Sequence, residues 1–209
     1  MNFISIAIGC VLASALSPAH AQAPRFKPLA ESEMSEAQLK AARDLASGPR
    51  GRLNPGGPNS LLLRSPELMA RTQRVGEYLR YNSSIPTRLN EFAILITARQ
   101  WDAQVEWIAH HPLALKAGID PTVAADLAQG KRPTGMKDDE AIVYQFCKEL
   151  HETKTVGDAT FKAAVDKFGE NGVIDLIGVT GYYTMLAMVL NVARLPLPDG
   201  LPPPLKALK

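Results

Sequence analysis

The chain has 209 residues, is 46% hydrophobic and 21% charged, and carries a formal net charge of +2. Such an apolar fraction excludes a disordered chain, and near-neutral charge gives no electrostatic case for a nucleic-acid partner. The length suits one domain or two small ones and is enough to enclose a core.

The first segment, Met1 to Ala21, contains no Lys, Arg, Asp or Glu. Its apolar run from Phe3 to Leu16 is too short to span a bilayer as a helix. It ends in Ala19-His20-Ala21, a small-x-small cleavage pattern, and reads as a secretory signal peptide. The expected mature protein is therefore periplasmic or secreted, with no stable membrane insertion. Cleavage after Ala21 removes Cys10 and leaves Cys147 as the only cysteine, so neither an internal disulfide nor a dithiol is available.

The rest divides into residues 22–64, an N-terminal helix followed by a Gly/Pro-rich loop; residues 65–195, a helical domain; and residues 196–209, a proline-rich tail. Its punctuation predicts an all-α protein. Ser35, with Gln38 at the capping-box position, opens a helix that runs to Ala46 and stops at Gly48-Pro49. The segment Arg50 to Ser60 is a loop, read as a connector and alternatively as a lid. Ser65-Pro66 opens a helix to Tyr81, and another begins at Thr87 with Leu89, Phe92, Ala93 and Ile96 on an apolar stripe. Asp102 is expected to cap a further helix to Gly118, kinked or broken at Pro112. Asp120-Pro121, Asp138 or Asp139, and Asp158 start the next three helices, the last closed by Gly169. A strongly apolar helix from Asn171 to Ala193 completes the set. Its Asp175, Thr180, Thr184 and Asn191 favour a buried helix or subunit interface over a membrane span.

The residues with chemistry concentrate between Glu91 and His111. Glu106 and His110 are four apart and share a helix face. If the chain turns back near Asp102, Glu91 lies roughly 16 Å before the turn and His110 roughly 12 Å after it, at 1.5 Å per residue. Glu91, Glu106 and His110 then converge between two antiparallel helices. A carboxylate orients an imidazole for proton transfer near neutral pH. The same Glu–His pairing also serves as a buried structural bond, and Glu106 with His110 as metal ligands is a weaker reading, because the chain does not carry the repeated Glu-x-x-His of di-iron bundles.

The run RLNEFAILITAR from Arg88 to Arg99, with EWIAHH from Glu106 and ALKAGI from Ala114, resembles the carboxymuconolactone decarboxylase family. The similarity extends more weakly through GYYTMLAMVLNVARLPLP from Gly181. The resemblance implies the all-helical alkylhydroperoxidase D-like fold, a homo-oligomer and a small, anionic substrate. In the peroxidase branch a Glu precedes a Cys-x-x-Cys pair, with a His four residues beyond. Here Glu91 and His110 match the outer positions, while Ala103 and Glu106 stand at the cysteines, which excludes dithiol chemistry at this site.

The decarboxylase branch thus implies a lyase that needs no metal and no organic cofactor. Its expected catalytic residues are His110 as proton donor, Glu91 orienting it, and Glu106 holding substrate or sharing the proton. Arg99 and Arg88 are expected to bind substrate carboxylate, with Trp107 and Tyr78 lining the pocket; the alternatives are that both arginines pair with acidic neighbours, for Arg88 an equal reading, and that Trp107 anchors the core. The family's named substrate belongs to a cytosolic pathway, whose intermediates an exported copy would not meet. Two alternatives stand beside this reading: a non-catalytic periplasmic binding or scaffold protein, and a peroxidase acting through Cys147. Cys147, in line with Val143 and Leu150, is expected in the core, and His151 on the surface at a helix C-terminus.

Overall fold

The computed structural model describes residues 23–198 and 201–206, and the segment expected to be a signal peptide lies outside them. The described residues form eight α-helices and no strand: α1 (Glu36–Ala46), α2 (Pro58–Leu62), α3 (Pro66–Tyr81), α4 (Thr87–Gln100), α5 (Gln104–Ala117), α6 (Pro121–Ala128), α7 (Asp138–Thr153) and α8 (Asp158–Ala193).

The central element is α4, packed against α3, α5, α6, α7 and α8. Every residue from Leu89 to Arg99 is buried, so the helix has no solvent face. The stripe of Leu89, Phe92, Ala93 and Ile96 is therefore only part of its contact surface. A helix buried on all sides must satisfy its polar side chains internally. Asn90 donates to the Leu79 carbonyl, and Thr97 Oγ1 donates to the Ala93 carbonyl at 2.9 Å.

Most helix boundaries follow local chemistry. Ser35 and Gln38 form the reciprocal capping box of α1, and Asp120 accepts from the Thr122 N–H at 2.7 Å. Gly118 closes α5 at φ 102°, a left-handed conformation that suits glycine. Gly169 at φ 69° interrupts α8 at the expected helix end.

Three local features differ from the sequence reading. Asp102 does not cap α5: it adopts φ 48° and accepts from Arg99, and Ala103 takes the N-cap position. Pro112 does not break α5, which runs through it. That proline is exposed, so the Ile108 carbonyl that loses its partner lies on the solvent side of the helix. The loop of residues 50–60 contains the start of α2, which opens with Pro58 at its first position.

The helix pair α4–α5 turns at Trp101–Asp102–Ala103, and the C-terminal tail fastens that turn. Leu205 is buried, and its backbone N–H and C=O both pair with the Gln104 side-chain amide, at 2.9 and 2.8 Å. Arg99 donates to the carbonyls of Lys206 and Ala128, at 2.7 and 2.9 Å. The proline-rich tail is thus held against the protein surface.

Candidate active site

Antiparallel pairing of α4 and α5 brings Glu91 and His110 to the same depth. His110 Nδ1 lies 2.6 Å from Glu91 Oε2, and His110 Nε2 lies 3.4 Å from Glu106 Oε1. All three side chains are buried. With Nδ1–H donating to Glu91, Nε2 is left to exchange a proton with Glu106 or a ligand. The edge of the His110 ring meets Tyr183 of α8 at a centroid distance of 5.1 Å, which fixes its plane.

The two carboxylates occupy different electrostatic settings. Glu91 has Arg80 Nε at 3.9 Å besides His110. Burial pushes the Glu106 carboxyl pKa up, against the opposing attraction of His110, Arg80 and Arg50. One carboxylate is thus tied to an imidazole while its neighbour leans toward the protonated acid, a division of labour suited to acid–base chemistry.

A cavity of about 240 Å³ opens beside this cluster. Glu106, His110, Tyr183, Arg80, Arg50 and Asn59 contribute to its wall. Arg50 and its neighbours Arg52, Asn54, Gly56 and Gly57 come from the loop read as a connector, so this loop is a wall of the site. The volume falls below the roughly 300 to 1,000 Å³ of pockets for drug-sized ligands, which restricts an occupant to a small metabolite. Several donors beside the cluster have no partner among the described residues: Arg50 Nε and Nη2, and the Tyr182 and Tyr183 hydroxyls.

Four residues expected to bind substrate lie elsewhere. Arg88 pairs with Asp139 at 2.7 Å and with Glu140, joining α4 to the start of α7. Arg99 is spent on Asp102 and on the carbonyls of Ala128 and Lys206. Trp107 is buried in the core and stacks on His111 at 5.7 Å. Tyr78 is half exposed on a separate cleft between α1 and α3, and bonds Asp175 at 3.1 Å. The site's cations are instead Arg50 and Arg80, and its aromatic wall is Tyr183. The adjacent Tyr182-Tyr183 in an otherwise apolar helix was the available signal for the phenols; nothing local marked the two arginines.

The remaining titratable candidates are structural. Cys147 is fully buried 3.5 Å from Thr180 Oγ1, and burial pushes its thiol up to about 12. His151 is buried rather than exposed: its Nε2 meets Thr97 Oγ1 at 3.2 Å, because the end of α7 lies on α4. Among the described residues no set of three His, Cys, Asp or Glu side chains converges in metal-ligand geometry.

No protein-family model matches the chain, and a search of curated proteins returns no significant match.

Proposed function

We propose that this chain is an exported, carboxymuconolactone decarboxylase-like lyase of the alkylhydroperoxidase D-like fold, acting without a cofactor on a small carboxylated compound. The observation that carries the reading is the Glu91–His110–Glu106 cluster on the wall of a small cavity that also presents Arg50 and Arg80. A scaffold that had lost its chemistry is expected to fill this groove with side chains, whereas here a cavity of about 240 Å³ stands open beside the cluster. A peroxidase acting through Cys147 is disfavoured, since a buried thiol held near 12 supplies almost no thiolate at neutral pH.

In this scheme the substrate carboxylate leaves as carbon dioxide. The electrons of the broken carbon–carbon bond pass into an enolate, whose oxygen receives a hydrogen bond from a phenol or guanidinium in the pocket. His110 delivers a proton from Nε2 to carbon, and Glu91 balances the charge of the imidazole ring through Nδ1–H. Glu106, leaning to its protonated form, returns a proton to Nε2 and is itself reprotonated from water. The net change consumes one carboxylate and one proton and yields carbon dioxide and a new carbon–hydrogen bond.

The proposed homo-oligomer finds support in α8. Ile174, Ile177, Met188 and Val192 are 65%, 43%, 44% and 56% exposed along one side of that helix. A continuous apolar stripe of this kind marks a contact surface. The same helix is long and apolar enough to cross a membrane, but 56% of its most apolar stretch is buried against the rest of the protein.

The test is a screen of small oxo- and lactone carboxylates against the purified protein, reading thermal stabilisation and carbon dioxide release. A stabilising compound that is decarboxylated by wild type and not by His110→Ala supports the proposal. Equal turnover by the variant removes it.

A further inference from the structure

The guanidinium of Arg50 is the least satisfied charged group beside the cavity. Its Nε and Nη2 have no acceptor among the described residues and are shielded from solvent. These two atoms form the side-on edge of the guanidinium, the edge that grips a planar carboxylate through two parallel bonds. Leaving such an edge buried and unmatched is costly unless something else supplies the acceptor.

The neighbourhood is shaped to hold it. A Cβ on Gly76 of α3 would collide with both the Tyr182 phenol and Arg50 Nη2, so the missing side chain is what lets the two groups lie against this helix. The Tyr182 hydroxyl beside Nη2 and the Tyr183 hydroxyl on the cavity wall are likewise unmatched. Tyr183 is only 1% exposed, so its phenol has little other than a pocket occupant to bond. The acidic groups close by are Glu91 and Glu106, and Arg80 is the second cation.

We infer that the side-on edge of Arg50 is the carboxylate subsite of this pocket, and that its ligand is a small carboxylate with a second oxygen in reach of the Tyr183 hydroxyl. The planar edge fits the two coplanar oxygens of a carboxylate. Arg50 sits in the loop between α1 and α2, next to Gly51 at φ 69° and two residues after Gly48. Selection of the substrate thus falls to a loop outside the α4–α5 pair.

This assignment rests on the proposed function for the location of the substrate, not for its chemistry. Calorimetric titration of the purified protein with maleate, succinate and inorganic phosphate tests it, using wild type, Arg50→Lys, Arg50→Gln and His110→Gln. Arg50→Lys keeps the charge and loses the fork. At least one dicarboxylate is expected to bind wild type, about tenfold or more weakly to Arg50→Lys, and more weakly still to Arg50→Gln. His110→Gln is expected to bind it within about threefold of wild type, so undiminished turnover in that variant would overturn the proton-transfer reading and leave the Arg50 subsite standing. In wild type alone, the Arg50 Nε–H resonance is expected to shift on adding the dicarboxylate, a readout that does not depend on how the variants fold. Unchanged affinity in Arg50→Lys, phosphate binding tighter than either dicarboxylate, no dicarboxylate binding, or a stationary Arg50 resonance would each overturn the assignment.

Discussion

His110 and Glu91 are 19 positions apart in the chain, on different helices, yet their side chains meet at 2.6 Å with almost no solvent contact. The pair exists because α4 and α5 reverse over a three-residue turn that Arg99 and the C-terminal tail hold together. A charge-assisted bond in that setting contributes about 1.5–3 kcal/mol. Glu91→Gln is expected to lower stability by that amount and turnover by about 10²–10⁴-fold, the range of a positioned acid or base. Chemical denaturation and a turnover assay read the two effects separately.

Glu106 gives a pH signature. Its pKa is raised in the folded protein by burial, so between its ordinary value near 4.5 and the raised one the folded state holds a proton that the unfolded state has lost. Its contribution to stability is therefore fully present below the ordinary value and is lost as pH rises through the folded one. Glu106→Gln, neutral throughout, is expected to flatten that decline, visible in melting temperatures measured from pH 4 upward.

His151 has the opposite slope. Burial first, and then the charge of Lys154, lowers its pKa from 6.5 to about 4. The unfolded chain takes up a proton that the folded protein refuses, so stability is complete above about 6.5 and falls as pH drops toward 4. His151→Leu is expected to reduce the loss over that window. At pH 7.5 it should cost no more than about 1 kcal/mol, because Thr97 keeps its bond to the Ala93 carbonyl.

Gly76 reports on the packing under Arg50. A methyl group there would collide with Tyr182 and Arg50, so Gly76→Ala is expected to destabilise the protein by about 1–3 kcal/mol despite the better helix propensity of alanine. Denaturant unfolding decides the sign: a stabilised variant would show that the two side chains do not lie against α3.

The fold was legible wherever a few neighbouring residues decide the outcome. Ser35 with Gln38, Asp120 with Pro121, and Gly118 and Gly169 set helix ends through their own backbone chemistry. The meeting of Glu91, Glu106 and His110 was legible too, because residue counting on either side of one turn places them. Long-range choices were not. Arg88 goes to Asp139 and Glu140 only because α7 lies on α4, and Arg99 goes to Lys206 only because the tail returns to the α4–α5 turn. His151 is buried for the same reason. Arg50 and Arg80 reach the site from the segment before α4, with no spacing that relates them to His110.

The apolar side of α8 bears on assembly. Replacing Ile174, the most exposed of its large apolar residues, with Glu is expected to shift the protein toward monomer in light scattering while leaving the helical circular dichroism unchanged. An unaltered mass for both Ile174→Glu and Met188→Glu would place the subunit contact elsewhere.

Running the reaction in deuterium oxide, with a substrate found by the carboxylate screen, tests proton delivery by His110 most directly. The account requires that wild type release one carbon dioxide and leave one deuterium at the carbon that lost it, and that His110→Gln do neither while still binding the compound. Decarboxylation with deuterium incorporation at undiminished rate in that variant would contradict it.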